Sequence, residues 1–203
     1  MTFEEIEVKF YVRSLPPIAE RLEGLGAVLR RERAHEVNLR FDLADGSLSR
    51  ADRVLRLRTT TGEPPRLTYK GPGATRRGVR ARQEIELSLS EASAARALLE
   101  ALGFQVVVLY EKYRAIYALN GREIMLDELP FGAFVEIEGE DAASIRRAAE
   151  DLGLAWDRRI PASYLHLFEK VRRKRRLTCR DLTFANFEGL SIIATDLGVL
   201  PAD

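Results

Sequence analysis

The sequence predicts an α+β fold: an antiparallel sheet whose strands alternate charged and apolar residues, accompanied by short helices. Three observations carry this. Segments of period-two alternation recur, beginning with Ile6, Val8 and Phe10 set against Glu5, Glu7 and Lys9. Between some of them lie stretches with apolar residues at helical spacing, each ending in Leu-Gly. The chain has 203 residues, 46% of them hydrophobic, which is enough for one sizeable core and too apolar for a disordered segment.

The first strand is expected over 4–12. Ser14-Leu15-Pro16-Pro17 then opens a helix, with Ser14 as the cap and proline in the first turn. Ile18, Leu22 and Leu25 form its apolar face, and Gly26 closes it. Strands follow near 35–42, 53–60 and 66–70, and residues 71–78 read as a loop, a hairpin or mobile lid rich in glycine. The pattern then restarts with a strand over 81–89 and a helix capped by Ser90 that carries Ala94, Ala95, Leu98, Leu99 and Leu102 up to Gly103. A shift of 77 residues lays Glu7 on Glu84, Lys9 on Glu86 and Gly26 on Gly103. This is a weak internal duplication, with units too few and unequal for a solenoid. Strands near 106–119, 122–128 and 133–139 precede a helix over 141–152 that stops at Gly153. A last helix covers 163–175, with Tyr164, Leu167, Phe168 and Val171 on its buried face. The tail from 177 to 203 carries no assignable role.

Lys and Arg number 32 against 31 Asp and Glu, a net charge of +1. That argues against a nucleic-acid binder working by bulk positive charge. Charged residues still make up 31% of the chain, so strong local fields can cancel in the total. No apolar run reaches the roughly 18 residues of a membrane-spanning helix. The start has neither a basic nor an apolar leader region, and the single cysteine, Cys179, allows no intrachain disulfide. The expected setting is the cytoplasm, without a membrane.

The distinctive signal is ionisable residues at i and i+2, which share one face of a strand. The sets are Glu5/Glu7/Lys9, Arg56/Arg58, Arg82/Glu84/Glu86, Lys112/Arg114 and Glu136/Glu138, with Lys70 and Asp127 single on similar strands. Two readings compete. Either these are the wet faces of an open sheet, or the sheet curls into a barrel with its charged face inward and helices on its apolar outside. Wet faces normally mix in Ser, Thr, Gln and Asn, whereas these positions are charged almost throughout. Acids also gather on the first, fourth and last of these strands and bases on those between. Both points favour the barrel. Charges enclosed in this way need a guest, because desolvating unpaired ions costs several kcal/mol each. Bases with acids suit a polyphosphate chelated to a divalent cation.

Glu5-Ile6-Glu7-Val8-Lys9 resembles the N-terminal E-x-E-x-K signature of the CYTH superfamily of class IV adenylate cyclases, thiamine triphosphatases and inorganic triphosphatases. Val54-Leu55-Arg56-Leu57-Arg58 is similar to that family's paired-arginine strand, and Leu67-Thr68-Tyr69-Lys70-Gly71-Pro72 to its lysine strand. Arg82-Gln83-Glu84-Ile85-Glu86, Glu111-Lys112-Tyr113-Arg114, Leu126-Asp127-Glu128, the run 131–139 and Ser163-Tyr164 follow in the family's order. The resemblance covers residues 1–170, taken as a tunnel-barrel domain, with 171–203 as a C-terminal extension of unknown role. It implies a closed or nearly closed eight-stranded antiparallel β-barrel, a triphosphate tunnel with a charged interior and helices packed outside. The chain departs from the family at Arg40, where an aromatic is common.

The resemblance implies roles. Glu5, Glu7, Asp127, Glu136 and Glu138 are the candidate ligands of Mg²⁺ or Mn²⁺. Glu84 and Glu86 are candidates for a second ion or for positioning water. Lys9, Arg56, Arg58, Lys70, Arg82, Lys112 and Arg114 would clamp the triphosphate. Lys9, Glu84, Glu86 and Arg114 are the catalytic candidates. The expected activity is hydrolysis of an inorganic, nucleoside or thiamine triphosphate by in-line attack of water on the terminal phosphorus. Cyclisation of ATP to cyclic AMP by class IV chemistry is the alternative, and Lys70-Gly71-Pro72 and Tyr110 to Arg114 look closer to that branch. It additionally requires an adenine pocket and exclusion of water, which ranks hydrolysis ahead. A binding module that holds polyphosphate without turnover is the alternative of another class, and the acidic residues count against it. The expected partner is a small triphosphate, and the expected assembly a homodimer through an outer surface or the tail.

Other conspicuous residues read as structural. His35 and His166 lack partners at zinc-ligand spacing. Cys179 is a small apolar filler, and Trp156 and Phe168 belong to the core. The basic run 170–176 complements a helix C-terminus. Arg76, Arg77 and Arg80 are placed to swing over the tunnel mouth, and Tyr164 to order the last helix against the barrel.

Overall fold

The computed structural model describes residues 3–76 and 79–203. The chain begins with β1 (Phe3–Val12), α1 (Pro16–Gly24), β2 (Val28–Leu43) and α2 (Ser47–Arg50). It continues through β3 (Val54–Thr60), β4 (Glu63–Arg76), β5 (Val79–Ser88) and α3 (Ala92–Ala101). Then come β6 (Phe104–Leu119), β7 (Arg122–Leu129), β8 (Gly132–Glu138), α4 (Ala142–Asp151), α5 (Tyr164–Arg175) and α6 (Ala194–Leu197). The strands close into an antiparallel barrel in the order β1-β5-β4-β3-β2-β6-β7-β8. β1 completes it by pairing with β5 on one side and β8 on the other. The two halves of the weak duplication therefore lie side by side, with Glu5 opposite Arg82.

Several elements differ from expectation. Residues 71–76 are strand, because β4 runs on past a register shift between Lys70 and Gly73. The bulge absorbs Pro72 and its flanking glycines, which a regular ladder would not. Arg77 and Gly78 lie outside the described residues, as does the side chain of Arg76. β2 starts at Val28, before the expected 35, and runs through register shifts in its pairing with β6. The charge run Arg30 to Arg33 hides it by interrupting the alternation. The N-cap of α1 is Leu15, not Ser14, and no side chain caps it. Prolines in that first turn leave fewer N–H groups to satisfy. At α3 the N-cap is Glu91, not Ser90. The helices expected from 141 and from 163 begin there, each with a side-chain cap: Asp141 accepts the Ser144 N–H at 2.7 Å, and Ser163 accepts that of His166 at 3.2 Å.

The outward faces are apolar and covered. α1 and α4 lay Ile18, Leu22, Ile145, Ala148 and Leu152 on Val8, Phe10 and Ile137. α3 covers Phe41 and Leu57 with Leu99. At one end of the barrel, α5 and the tail pack Leu167, Phe168, Leu182 and Phe187 with Phe131 and with Phe134, which lies on the inward face of β8. Each such fully buried side chain stabilises by about 1.5–3 kcal/mol before entropy is counted. Trp156 is only half-buried, at the edge of the first cluster with its ring 6.2 Å from Phe10. The tail straps the barrel by backbone bonds: Leu182 N–H donates to the Leu109 carbonyl and Glu111 N–H to that of Leu182, both at 2.9 Å. Among the described residues no helix is long and apolar enough to cross a membrane.

Candidate active site

Closure turns the charged face of every strand toward one cavity of about 620 Å³. β1 contributes Glu5, Glu7 and Lys9, and β8 contributes Glu136 and Glu138. Arg56 and Arg58 enter from β3, Lys70 from β4, Arg82, Glu84 and Glu86 from β5, and Lys112 and Arg114 from β6. Thus the predicted site residues converge; Asp127 alone of them is not on the cavity surface, being fully buried beneath Lys112, Arg114 and Tyr164, which it bonds.

The deepest layer is a buried ion network. Asp127, fully buried, accepts Arg114 Nε at 2.6 Å and Nη2 at 2.5 Å, Lys112 Nζ at 3.1 Å and the Tyr164 hydroxyl at 2.8 Å. Arg114 Nη2 also reaches Glu136. Lys9 lies between Glu7 at 2.6 Å and Glu136 at 2.7 Å. Burial alone would lower the Lys9 pKa, but Glu136 and Glu7 outweigh it and raise the value. Burial would likewise raise Glu136, yet Lys9, Arg114 and Lys112 hold it well below the usual carboxylate range. The Tyr164 ring closes this end, with the ammonium groups of Lys9 and Lys112 each 5.6 Å from its centroid. Tyr164 thus does more than order the last helix, since its hydroxyl is part of the network.

The middle layer is paired more loosely. Lys70 sits 2.5 Å from Glu5 and 3.0 Å from Glu84. Glu86 receives Arg66 at 2.5 Å, Thr68 at 3.1 Å and Arg58 at 3.3 Å. Arg82 donates to backbone rather than to an acid: Nε bonds the Gly71 carbonyl and Nη2 that of Asp52, both at 2.9 Å. Arg80 does not swing free, because both oxygens of Asp52 hold it at 3.0 Å.

Two members, Glu36 and Glu123, were not singled out from the sequence. Glu36 is wholly buried and meets Arg31 at 2.5 Å, Lys112 at 3.6 Å and Arg58 at 3.9 Å. Burial would raise its pKa, but Lys112, Arg114, Arg58 and Arg31 together lower it strongly. Glu123 lines the cavity from β7, and Arg40 and Tyr110 line it from β2 and β6. The i, i+2 rule finds Glu36 and Arg40 once β2 is read as one strand through Asn38, and finds Glu123 from Asp127 across Met125.

At one place acids face acids. Glu138 stands opposite Glu7 in the β1–β8 register and opposite Glu123 in the β7–β8 register. Among the described residues neither Glu138 nor Glu123 has a basic partner within 4.0 Å. Burial, then Glu5, Glu123 and Glu7, push the Glu138 pKa up to about 8. Like charges directly opposite in a sheet are destabilising, and a hard divalent cation is the partner that carboxylate oxygens fit. The donor set therefore fits such an ion in chemistry. As they stand, no three His, Cys, Asp or Glu side chains among the described residues are grouped closely enough to hold one. Lys70 and Lys9 occupy Glu5 and Glu7, so ligation requires these acids to exchange a lysine for the ion.

A closed eight-stranded antiparallel barrel enclosing interleaved acids and bases defines the class of charged tunnel barrels. The chain belongs to the CYTH domain family, whose model matches residues 4–158. It is 29% identical, over 135 residues covering 66% of this chain and 75% of the other, to a Methanocaldococcus jannaschii protein named "Putative adenylate cyclase MJ0240". A Vibrio parahaemolyticus structure described as "a putative adenylate cyclase" superposes with a TM-score of 0.73 at 22% identity, over 83% of this chain and 99% of its own. A Hippeastrum structure, "Putative adenylyl cyclase HpAC1", described as having a dominant triphosphatase activity, superposes with a TM-score of 0.61 at 20% identity, over 81% of this chain and 95% of its own. At those identities the two structures share the fold.

Proposed function

We propose that the protein is a divalent-metal-dependent triphosphatase. One observation carries the reading: among the described residues, one cavity holds acids without a paired base, at Glu138 and Glu123, and guanidinium groups without a paired acid, at Arg56 and Arg40. A metal-chelated triphosphate neutralises both at once, which neither a simple anion nor a bare cation does.

Glu5, Glu7 and Glu138, with Glu123 beside them, would hold Mg²⁺ or Mn²⁺. The ion, when bound, would polarise phosphoryl oxygens and lower the pKa of a water at the reacting phosphorus. Asp127 and Glu136, matched to the metal by family resemblance, we assign instead to holding Arg114, Lys112 and Lys9, which already saturate them. Arg56 and Arg58 bind the chain of phosphates as bidentate forks, while Lys9, Lys70, Lys112 and Arg114 supply charge close to the acids. Arg82, tied to carbonyls, positions the wall and adds field. Glu84, 3.0 Å from Lys70, is placed to orient water.

The triphosphatase activity described for the Hippeastrum protein supports hydrolysis, and the name of the M. jannaschii relative supports the second reading, cyclisation of ATP. Hydrolysis asks less of the cavity, whose aromatic lining among the described residues is Tyr110 and Tyr164, both buried and offering little open face for adenine. The experiment is incubation with tripolyphosphate, ATP and thiamine triphosphate under Mg²⁺ and under Mn²⁺, following phosphate and cyclic AMP in parallel. Metal-dependent phosphate release without cyclic AMP is expected. Cyclic AMP as the main product would replace this reading with the cyclase, and tight triphosphate binding in chelator with no turnover would replace it with the binding module.

A further inference from the structure

The inward face of β2 carries more than the acid Glu36. Two and four residues further on lie Asn38 and Arg40, on the same side by strand alternation. Arg40 lines the cavity and stands directly opposite Arg56 in the β2–β3 register. A like-charged pair in that position is unfavourable unless something anionic lies against it. Glu84 and Glu36 act on Arg56, and Asp42 on Arg40, only at longer range, with no carboxylate of the described residues within 4.0 Å of either guanidinium. The Nε atoms of both arginines are buried without a partner, and neither arginine makes an ion pair among the described residues. Arg56 touches only neutral groups, the Tyr110 hydroxyl at 3.4 Å and Thr68 at 3.3 Å.

The acids that could serve are committed elsewhere. Asp42, the next residue on that face, accepts the N–H groups of Leu43, Leu48 and Ser49 at 2.8–2.9 Å and the Ser49 hydroxyl at 2.5 Å. Asp52 is held by Arg80 and by the Gly73 N–H at 2.8 Å. Burial, with Arg56 and Arg82 nearby, lowers the pKa of Arg40, against which Tyr110 and Asp42 push it up. Beside it the Asn38 amide is wholly buried, and neither its oxygen nor its nitrogen has a partner. Unpaired donors gathered in one wall describe a subsite that is complete only with a ligand.

Two facing guanidinium forks offer more charge than one internal phosphate carries. An unesterified terminal phosphoryl group carries about −1.5 to −2 at neutral pH and three acceptor oxygens, which match two forks and an amide. We propose that Arg40, with Arg56, is a specificity-determining subsite for the free terminal phosphoryl group of a polyphosphate chain, so that the tunnel takes chains with at least one unesterified end. The proposal rests on the triphosphate reading above and adds which part of the ligand this wall selects.

The test compares three probes on the full chain with Ca²⁺ present: tripolyphosphate with two free ends, ATP with one, and a triphosphate capped by adenosine at both ends. Titration calorimetry should show tripolyphosphate and ATP binding at least ~10-fold more tightly than the doubly capped compound. Arg40→Gln should weaken the first two by about 10- to 100-fold and leave the third within about twofold. The ligand-free variant should melt no lower than the parent, because the substitution relieves an unpaired like-charge contact. If Arg40→Gln does not fold, Arg40→Lys, which keeps the charge and loses the fork, should still weaken free-ended chains by at least ~3-fold while sparing the capped one. Equal binding of ATP and the capped compound by the parent, or the same loss on all three probes in the variant, would overturn the proposal. The two readings fail separately. Selective binding without turnover leaves the subsite standing and removes the triphosphatase, whereas turnover unaffected by the Arg40 variants does the reverse.

Discussion

Glu138 shows what a single residue's surroundings can impose. Its pKa near 8 lies far above the ordinary carboxylate value of 4.5, through burial and then Glu5, Glu123 and Glu7. The sign of the consequence is fixed by that direction. A group with a raised folded-state pKa contributes its stability fully below the unfolded value and loses it as pH rises through the folded one. The metal-free protein should therefore lose stability between about pH 4.5 and about pH 8, as ionisation is forced on Glu138. Melting temperatures across that window in chelator measure it. Glu138→Gln should flatten the slope, and Mg²⁺ or Mn²⁺ should do so in the parent. An identical slope in parent and variant would show that Glu138 is not its origin. Lys9 illustrates the opposite case. Deleting one partner of a buried pair strands the others at about 3–5 kcal/mol, so Lys9→Ala removes Glu7 and Glu136 from balance as well as a cation from the site.

At the scale of elements, the turn joining β7 and β8 depends on one backbone conformation. Gly132 has φ of +144°, and a Cβ there would lie 2.7 Å from Tyr11 Cε2. That ring is held edge-on to Phe134 at 5.4 Å, so it cannot yield without disturbing the second cluster. Gly132→Ala combines strain with a clash, costing on the order of 1–3 kcal/mol. At this chain length each kcal/mol lowers the melting temperature by about 2–4 °C, so a fall of roughly 3–10 °C is expected in a thermal melt. A variant that melts with the parent would mean that the turn relaxes freely. The three strand–helix units make a related point: Gly26, Gly103 and Gly153 all take positive φ just past their helices, as the repeated Leu-Gly stops require.

Over the whole molecule the tail is integral to the packing. Leu182, Phe187 and Leu197 are buried in one cluster with the barrel's Tyr110, Phe131 and Phe134 and with α5, and Ala202 N–H bonds the Tyr11 carbonyl at 2.9 Å. Burial of three such side chains, at about 1.5–3 kcal/mol each, is comparable with the net 5–15 kcal/mol of an ordinary domain. Deleting 177–203 should therefore lower the melting temperature sharply or prevent folding, as circular dichroism would record. An unchanged melt would make the strap dispensable. The basic run before it is partly engaged by this same segment, with Lys174 3.3 Å from Asp196 and Arg175 bonding the Ser191 carbonyl at 3.1 Å.

Local order along the chain was enough to determine that ionic side chains share strand faces, that glycines stop the helices, and that Glu5 to Lys9 opens a CYTH pattern. These features depend on spacing of two or four residues, which a sequence displays directly. Only tertiary structure decided which charges neutralise one another. Asp127 reads from the sequence as one more acid, yet β6 and α5 spend it wholly on Arg114, Lys112 and Tyr164. Glu138 and Arg40 look no different in sequence from their neighbours, and barrel closure and strand register leave the one among acids and the other against Arg56. The physical reason is that charge balance in an enclosed space is set by cross-strand partners, and these are brought together from positions as distant as β1 and β8.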